Sequence, residues 1–459
     1  NTNWTGTDFF TYKASDGVDD SAVGTVYILV SDPVNKNQTL QSPTEIPHLL
    51  DQIKKDDYKL DKLIIKNRDA LITAIKDIDY SDQRDANGFV RCGTDELEQE
   101  LQLLDPEFIK ERDKFFAQVR ANKEIIDFSN TMTVVVPVIF HVLYSSTSEN
   151  ISATQIGYNF DQLNLDFQNT NTDGSKVPQA PNPTNAPQDP GLDYNHYGAR
   201  GTHNVRFVGF DGERTGGDLN ENTTIRRYQM SQSTVSGVNE ASSLVGSITP
   251  DGGGAGGYQE GYLNIYIAPL SGGLLGQASF SIPHTAISTE TVGSVDHSGT
   301  STIYGLGRTL THEVGHNFSY NHIFNSNNCS HQLWSDIPAQ TSSNGSSANL
   351  YEFEENWYGK GALNSCMTTS GKGDQFMNYM DYSADLDLVM FSAQQAQDGY
   401  AWALTKIWAT VANQAPVVND LSINVAINED CSQGAQMFGT FHPGKKNLSM
   451  SSFAFYING

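Results

Sequence analysis

The sequence predicts a multidomain chain, in which a mixed α/β domain follows a helical segment and partial all-β sandwich pieces lie at both ends. Three observations support this fold class. Residues 131–144 form a β-branched apolar run typical of a buried strand, and a helical pattern follows at 151–168. Residues 56–123 carry apolar side chains at helical spacings. Residues 1–32 alternate apolar and polar side chains around an Asp-Gly turn, as a hairpin does.

The amino-acid composition argues against several classes of binding partner. The 459 residues suffice for about three domains. The formal charge of −25, with only 28 Lys and Arg, argues against a nucleic-acid-binding surface and against binding to anionic lipid. No apolar run reaches the roughly 18 residues that span a bilayer. The chain opens at Asn1 without an export leader, so we expect any such signal to have been removed and both ends to be cut.

The first 130 residues divide into three segments. Residues 1–32 predict two strands, residues 33–55 form a linker rich in Asn, Pro, Thr and Ser, and residues 56–130 predict helices. The second helical stretch is interrupted at Asp105-Pro106, because proline disfavours helical geometry in the residue before it.

Four cysteines are present, and Cys92 lies between the two helical stretches in the polar sequence FVRCGT, where we expect it to be exposed. Three interpretations are open: a disulfide with Cys431, a spare thiol, or a thiolate that ligates zinc in place of a catalytic water and keeps an enzyme inactive. Cys329 and Cys366 bracket a loop-rich stretch, which favours a disulfide between them and an oxidising compartment.

Residues 131–412 predict the α/β domain. Gly-rich stretches within it are predicted to be loops, and none carries the Gly-Lys-Ser/Thr ending of a phosphate-binding loop. The expected elements are strands at 131–144, 204–210 and 262–270, loops at 252–257 and 272–276, a helix at 151–168 and a helix that begins near Tyr304.

The strongest motif is THEVGHNFSYNH, which spans residues 311–322. His312 and His316 share one face of a helix, Glu313 lies between them, and His322 follows six residues after the second histidine. Zinc in catalytic sites takes three protein ligands and keeps one position for water, and a nearby carboxylate can accept that water's proton during attack on a carbonyl. The motif therefore predicts a zinc site with a base, in preference to an amphipathic helix whose histidines only cap or pack.

Four other residues could belong either to this zinc site or to the ordinary core and surface of the fold. His141 interrupts the apolar strand and is expected to be a hydrogen-bonded core residue, and His331 is expected to be exposed in a polar loop. The hexapeptide NYMDYS supplies Met380, which can form an apolar floor beneath the imidazoles. It also supplies Tyr382, whose hydroxyl can stabilise an oxyanion.

Together these residues resemble the metzincin metallopeptidases, in which HExxH is followed by a third histidine and a methionine turn. VPVIFHVLY, LNIYIAPLSGGLLGQASF, GRTLTHEVGH, SDIPAQ and NYMDYS narrow the resemblance to the pappalysin (cytophagalysin-like) family, and RCGTDELEQEL is similar to the prosegment of its zymogens. The resemblance covers about residues 88–412 and implies a twisted mixed sheet with an active-site helix. It implies that zinc is bound by His312, His316 and His322, with Glu313 as base and acid, Tyr382 as oxyanion stabiliser, Met380 as turn methionine and Cys92 as cysteine switch.

The resemblance also implies finer features. Asp385 lines a primed-side pocket that favours Arg or Lys in the substrate through a charge-assisted pair. Relatives bind structural calcium between the histidines and the turn, where hard oxygen ligands could come from Asp336, Glu354 and Glu355.

Two positions depart from the family pattern. Ser319 replaces the glycine normally found three residues after the second histidine, so we expect either a strained backbone or a changed turn geometry. Asp387 replaces a frequent cysteine, which implies that one family disulfide is absent.

The terminal pieces are similar to parts of cadherin-like or immunoglobulin-like repeats: residues 1–32 to the end of one repeat and residues 413–459 to the start of another. In the alternative arrangement both pieces complete one sandwich into which the rest is inserted. The sequence thus implies a secreted or cell-surface zinc endopeptidase, made as a zymogen within a larger protein and acting on protein or peptide substrates. The alternative function is a catalytically inactive peptidase fold used for binding or adhesion, which Ser319 motivates.

Overall fold

The structure is a computed structural model, and two compact units divide the chain: residues 53–411, and residues 1–52 together with 412–459. The residues that it describes are 6–12, 24–30, 66–76, 78–121, 133–176, 200–253, 256–280, 282–293, 303–324, 329, 333–345, 365–366, 374–406, 424–425 and 437–438. The predicted linker at 33–55, His331, Glu354, Glu355 and Cys431 lie outside them.

Among its described residues, the smaller unit contains two short antiparallel strand pairs. Strands β1 (Gly6–Tyr12) and β2 (Gly24–Val30) pair with Gly6 opposite Val30. This is the hairpin that the alternating pattern predicts. Two-residue strands also pair near the C-terminus, and they are β9 (Asn424–Val425) and β10 (Met437–Phe438).

In the part of the larger unit that the structure describes, a mixed sheet of six strands forms the centre. Its central strand β3 pairs in parallel with β4 over its first half and with β5 over its second half, on one side, and with β6 on the other. Strand β8 continues in parallel from β6, and the edge strand β7 is antiparallel to β8. The bounds are β3 (Val134–Tyr144), β4 (Val205–Val208), β5 (Ile225–Gln229), β6 (Leu263–Ala268), β7 (Gly276–Ala278) and β8 (His284–Ser288).

Seven α-helices lie among the described residues. Two of them, α4 and α7, begin with a capping box, in which Ser152 and Ser392 each bond the backbone N–H three residues on. The bounds are α1 (Arg68–Lys76), α2 (Thr94–Leu104), α3 (Pro106–Ala121), α4 (Ala153–Phe167), α5 (Val238–Ser247), α6 (Arg308–Asn317) and α7 (Ala393–Thr405). Short 3₁₀ turns occur at Ser81–Gln83, Thr172–Lys176, Gly216–Asp218, Ser271–Gly273 and Thr289–Thr291.

The hydrophobic core lies between the sheet and the helices α4 and α6. The inward side chains of β3 alternate along the strand, and those of α4 and α6 recur at helical spacing, so both patterns meet in one apolar layer. The layer includes Val136, Val138, Phe140, Val142, Ile156, Phe160, Leu163, Phe167, Leu310 and Val314. Within the described part of the chain, no helix has the length and apolar character needed to cross a membrane.

The mixed α/β sheet and the break between α2 and α3 at Asp105 agree with the sequence-based predictions. Two boundaries differ. The motif helix begins at Arg308 and not near Tyr304, and Gly276, predicted to be in a loop, begins the edge strand β7.

Candidate metal centre

Helix α6 begins where it does because of a fixed turn before it. Gly307 has φ +86°, a conformation that glycine adopts without strain. One carboxylate oxygen of Asp385 accepts hydrogen bonds from the backbone N–H groups of Leu306 and Arg308, each at 3.0 Å. A carboxylate at a helix N-terminus satisfies free N–H groups and complements the helix dipole. Asp385 therefore sets the start of the helix that carries the histidines.

The end of α6 explains how a third histidine returns to the first two. Ser319 has φ +70°, its N–H donates to the His316 carbonyl at 2.9 Å, and the Tyr320 N–H donates to the Gly315 carbonyl at 3.1 Å. These two bonds form a Schellman motif, in which a left-handed residue reverses the chain after a helix. Of the two expected outcomes at Ser319, the structure has the strained one, with the turn geometry retained.

Four side-chain atoms converge behind this turn. The ligating atoms of Cys92, His312, His316 and His322 all lie within 4.8 Å of one another, and all four residues are buried. His312 Nε2 lies 3.2 Å from His322 Nε2, and Cys92 Sγ lies 3.5 Å from His316 Nε2. Zn–N bonds of about 2.1 Å in a tetrahedron give ligand separations of about 3.4 Å. This set of three nitrogens and one sulfur therefore fits zinc in both chemistry and spacing.

Each of the three clustered histidines has a hydrogen-bond acceptor next to its Nδ1 atom. His312 Nδ1 lies 2.6 Å from the Tyr379 carbonyl oxygen, His316 Nδ1 lies 2.7 Å from the Tyr320 carbonyl oxygen, and His322 Nδ1 lies 2.9 Å from Asp95 Oδ2. Burial also lowers the pKa of His316 to about 3, so its imidazole is neutral. With protons on Nδ1, the Nε2 lone pairs are free to bind a cation.

Glu313 lies beside the four ligand atoms and is fully buried. Its Oε2 accepts hydrogen bonds from the Thr94 hydroxyl at 3.2 Å and the Cys92 thiol at 3.5 Å. Its Oε1 has no hydrogen-bond partner among the described residues. Burial raises the pKa of Glu313 to about 8. A carboxyl group with this pKa and a free oxygen is suited to exchange protons near neutral pH.

Cys92 corrects one expectation from the sequence. It was predicted to be exposed, but it is 1% exposed, because the loop that carries it is inserted into the site. It is a free thiol, and Cys431, the alternative partner considered above, lies outside the described residues. Burial and the neighbouring Glu313 raise the pKa of the Cys92 thiol well above its ordinary value. A divalent cation among the histidines reverses this preference, because a coordinating thiol is deprotonated.

Residues 90–94 lie alongside the edge of the sheet, next to β7 and the residues that precede it. The Val90 N–H donates to the Gly273 carbonyl at 2.9 Å, and the Gly93 N–H donates to the Gly276 carbonyl at 3.0 Å. Val90 and Leu274 form a parallel bridge. The inserted segment thus adds to the sheet at its edge and covers the site.

Arg91 enters a buried pocket next to the ligands. Its guanidinium donates to Asp385 Oδ1 at 3.0 Å and to the Thr309 hydroxyl at 2.6 Å, and it lies 4.6 Å from the ring centre of Tyr304. The side chains of Arg91 and Asp385 are 3% and 0% exposed. The predicted pocket residue Asp385 is therefore paired with an arginine from the chain's own helical segment.

The methionine turn lies beneath the histidines. A Cβ atom added at Gly315 would lie 2.5 Å from Met380 Sδ, so the close approach of the turn to α6 requires glycine there. The Tyr382 ring packs against His322 and His312, with ring centres 4.8 and 5.8 Å apart. Both predicted residues are thus next to the ligand cluster.

The remaining predicted residues lie elsewhere. His141 is a buried core residue, whose ring nitrogens lie 3.2 Å from the Tyr228 hydroxyl and 3.0 Å from Asn264 Oδ1. A disulfide joins Cys329 and Cys366, as the loop length favours. Asp336, a candidate calcium ligand, uses both carboxylate oxygens at the start of α7, where it accepts from the Ser392 hydroxyl and the Gln394 N–H at 2.9 Å each.

Sequence reasoning missed several residues that support the site. The Tyr379 hydroxyl donates to Asp166 Oδ1 at 2.9 Å, and Thr311 of α6 donates to Asp166 Oδ2 at 2.7 Å. This buried carboxylate therefore ties the methionine turn, whose Tyr379 carbonyl faces His312, to the helix that carries His312. Asp166 falls at a helical core position with no local motif, so the sequence holds no signal for it.

Part of this chain is similar in sequence to known metalloproteases. A peptidase M43 family model, described as "Pregnancy-associated plasma protein-A", matches residues 258–398, which include β6 to β8, α6 and the methionine turn. An extracellular metalloprotease of Arthroderma otae is 35% identical over 144 residues, which is 29% of this chain and 48% of the relative. One of Arthroderma benhamiae is 36% identical over 146 residues, with the same shares. The chain thus spans about half the length of these curated relatives.

A solved structure extends the similarity in fold. A promirolysin from Tannerella forsythia has a TM-score of 0.51 and 23% sequence identity, and the match covers 69% of this chain and 97% of that one. This match supports a common fold.

Proposed function

We propose that the protein is a zinc-dependent endopeptidase of the pappalysin family and that this chain is its latent zymogen, because a peptidase M43 family model matches residues 258–398. The observation that carries the proposal is the cluster of three histidine nitrogens and one cysteine sulfur beside the buried Glu313. His312, His316 and His322 would hold the metal, and Cys92 Sγ would be the fourth ligand atom. When bound there, zinc supplies Lewis-acid polarisation and lowers the pKa of a water molecule.

The chain's own residues supply the proton transfers. Glu313 Oε1, which lacks a partner among the described residues, accepts a proton from the attacking water. Once protonated, the same carboxyl group returns that proton to the leaving amine. The hydroxyl of Tyr382, whose ring packs against two of the histidines, donates a hydrogen bond to the oxyanion that forms on the attacked carbonyl.

Latency follows from the helical segment that contains α1 to α3, which we call the prosegment. Its residues 90–94 take the edge of β7, where an extended substrate would otherwise add its backbone. Cys92 Sγ would take the position of the reacting water, and the Thr94 hydroxyl donates a hydrogen bond to Glu313 Oε2, the other oxygen of the catalytic carboxylate. Removal of the prosegment frees the edge strand, the fourth ligand position and the base together.

The Arg91 pocket suggests the substrate preference. A buried carboxylate, a hydroxyl and an aromatic ring surround the guanidinium, and all three favour arginine. We infer that Asp385 receives an Arg or Lys side chain of the substrate once Arg91 has left.

The setting of the enzyme is also part of the proposal. The Cys329–Cys366 disulfide and relatives described as extracellular metalloproteases support secretion. The terminal strand pairs are consistent with adjoining β-sandwich repeats of a larger secreted or surface protein. The alternative is a catalytically inactive peptidase fold used for binding or adhesion, which Ser319 motivates. The turn at Ser319 keeps the geometry that a glycine would give, and this supports the active peptidase.

The test compares three proteins: the full-length chain, the chain trimmed of its prosegment, and the trimmed Glu313→Ala variant. Each is assayed on casein and on Arg-containing peptides, with zinc quantified in parallel. We expect activity only in the trimmed protein with Glu313, and zinc in all three. Equal activity in all three would refute both the mechanism and the latency. Stoichiometric zinc without cleavage by the trimmed protein would support the inactive binding module.

A further inference from the structure

The three ligand histidines differ in where their Nδ1 partners come from. Tyr379 and Tyr320 supply backbone carbonyls to His312 and His316, and both lie outside the prosegment. His322 instead faces the carboxylate of Asp95, in the first turn of α2. The prosegment therefore supplies both the fourth ligand atom, Cys92 Sγ, and the partner of the third histidine.

We propose that Asp95 is a positioning residue for the metal, present only in the zymogen: it orients His322, strengthens its bond to zinc, and is lost on activation. This inference rests on the proposed function, since it needs a metal site and a removable prosegment. It goes further in predicting that the prosegment stabilises the metal it blocks.

The tautomer of His322 determines which of its two ring nitrogens can bind a metal. His322 can present its Nε2 lone pair to a metal only if Nδ1 carries the proton, and the Asp95 carboxylate 2.9 Å away accepts that proton's hydrogen bond. An acceptor in this position fixes the ring orientation and raises the basicity of the ligand nitrogen. A carboxylate does this more strongly than the neutral carbonyls behind the other two histidines.

Helix stabilisation is the competing account of Asp95, because acids in the first turn of a helix complement its dipole. Glu96 occupies the same turn and offers a matched control. The Oε1 atom of Glu96 accepts a hydrogen bond from Gln83 at 2.8 Å, whereas the hydrogen-bond partner of His322 Nδ1 is Asp95. Asp95→Asn and Glu96→Gln therefore remove the same charge from the same turn, but only the first alters the partner of a ligand.

The experiment uses the full-length chain in a Glu313→Gln background, which prevents self-cleavage. Zinc affinity is measured by competition with a chromophoric chelator in the parent, Asp95→Asn, Asp95→Ala and Glu96→Gln proteins. We expect Asp95→Asn to weaken zinc binding by about 10- to 100-fold, Asp95→Ala by at least as much, and Glu96→Gln to have no effect. Thermal unfolding of the metal-free proteins should shift little, and similarly, in Asp95→Asn and Glu96→Gln.

A second measurement tests whether Cys92 still binds the metal in the variant. In cobalt-loaded protein, the thiolate-to-cobalt absorption band reports Cys92, and it should persist in Asp95→Asn. Zinc affinity in Asp95→Asn equal to that of the parent, or equal losses in Asp95→Asn and Glu96→Gln, would overturn the role of Asp95 while leaving the proposed function standing. If no form binds zinc, both proposals fail.

Discussion

The ion pair between Arg91 and Asp385 is the contact whose removal should most directly release the prosegment. Arg91→Ala leaves the buried carboxylate of Asp385 without its cationic partner, and such a loss costs about 3–5 kcal/mol. Asp385 keeps its hydrogen bonds from the N–H groups of Leu306 and Arg308, so we take the lower end, about 3 kcal/mol. At about 1.4 kcal/mol per tenfold change, the open fraction of the prosegment should rise about 100-fold.

Alkylation of the Cys92 thiol measures that open fraction, because the thiol is buried and reacts only when the segment lifts. Peptide mass spectrometry identifies the modified cysteine, and both proteins are compared at the same metal loading. Arg84→Ala is the matched control, since Arg84 lies in the same segment and is exposed. Hydrogen exchange in β6 should stay unchanged and thereby exclude global unfolding. If Cys92 in Arg91→Ala reacts at the parent rate, the reasoning about this anchor is refuted.

Two further predictions concern stability. Ser319→Gly should raise the free energy of unfolding, measured by urea denaturation, by about 1 kcal/mol. The glycine relieves the left-handed backbone strain of about 1–2 kcal/mol at this position, and the greater conformational entropy of glycine in the unfolded state cancels part of that gain. Asn169→Gly, at φ +57°, should gain less because Asn tolerates this conformation, and a destabilised Ser319→Gly would contradict the strain. Burial lowers the pKa of His141 to about 3, so the unfolded state takes up the proton first and stability falls as pH drops below about 6.5. His141→Gln should therefore reduce the pH slope of unfolding by up to about 1.4 kcal/mol per pH unit between pH 6 and 4, and an unchanged slope would show that His141 is not buried as a neutral residue.

The local parts of the site could be predicted from the sequence. The spacing of His312, Glu313 and His316 depends on one helix, so periodicity alone brings them together. The strained Ser319 could be anticipated in the same way, because a chain reversal after a helix ordinarily uses glycine.

The long-range parts could not be predicted. Arg91 and Asp385 are 294 residues apart, and Asp95 and His322 are 227 residues apart. An acid in the first turn of a helix is favoured by the dipole in any case, so Asp95 carries no signal of its role. Cys92 was predicted to be exposed because its neighbours in the sequence are polar. This prediction was wrong, because those neighbours are themselves inserted into the site. The start of α6 was misplaced for a similar reason, since the Asp385 carboxylate that fixes it is distant in sequence.

We propose that His312, His316, His322 and Cys92 hold zinc in the zymogen and that activation removes the sulfur ligand. X-ray absorption at the zinc edge tests this most directly, in the full-length and the trimmed protein. We predict one equivalent of zinc in both, with a Zn–S shell at about 2.3 Å in the full-length protein that disappears after trimming. A full-length protein whose zinc has only nitrogen and oxygen neighbours would contradict the account.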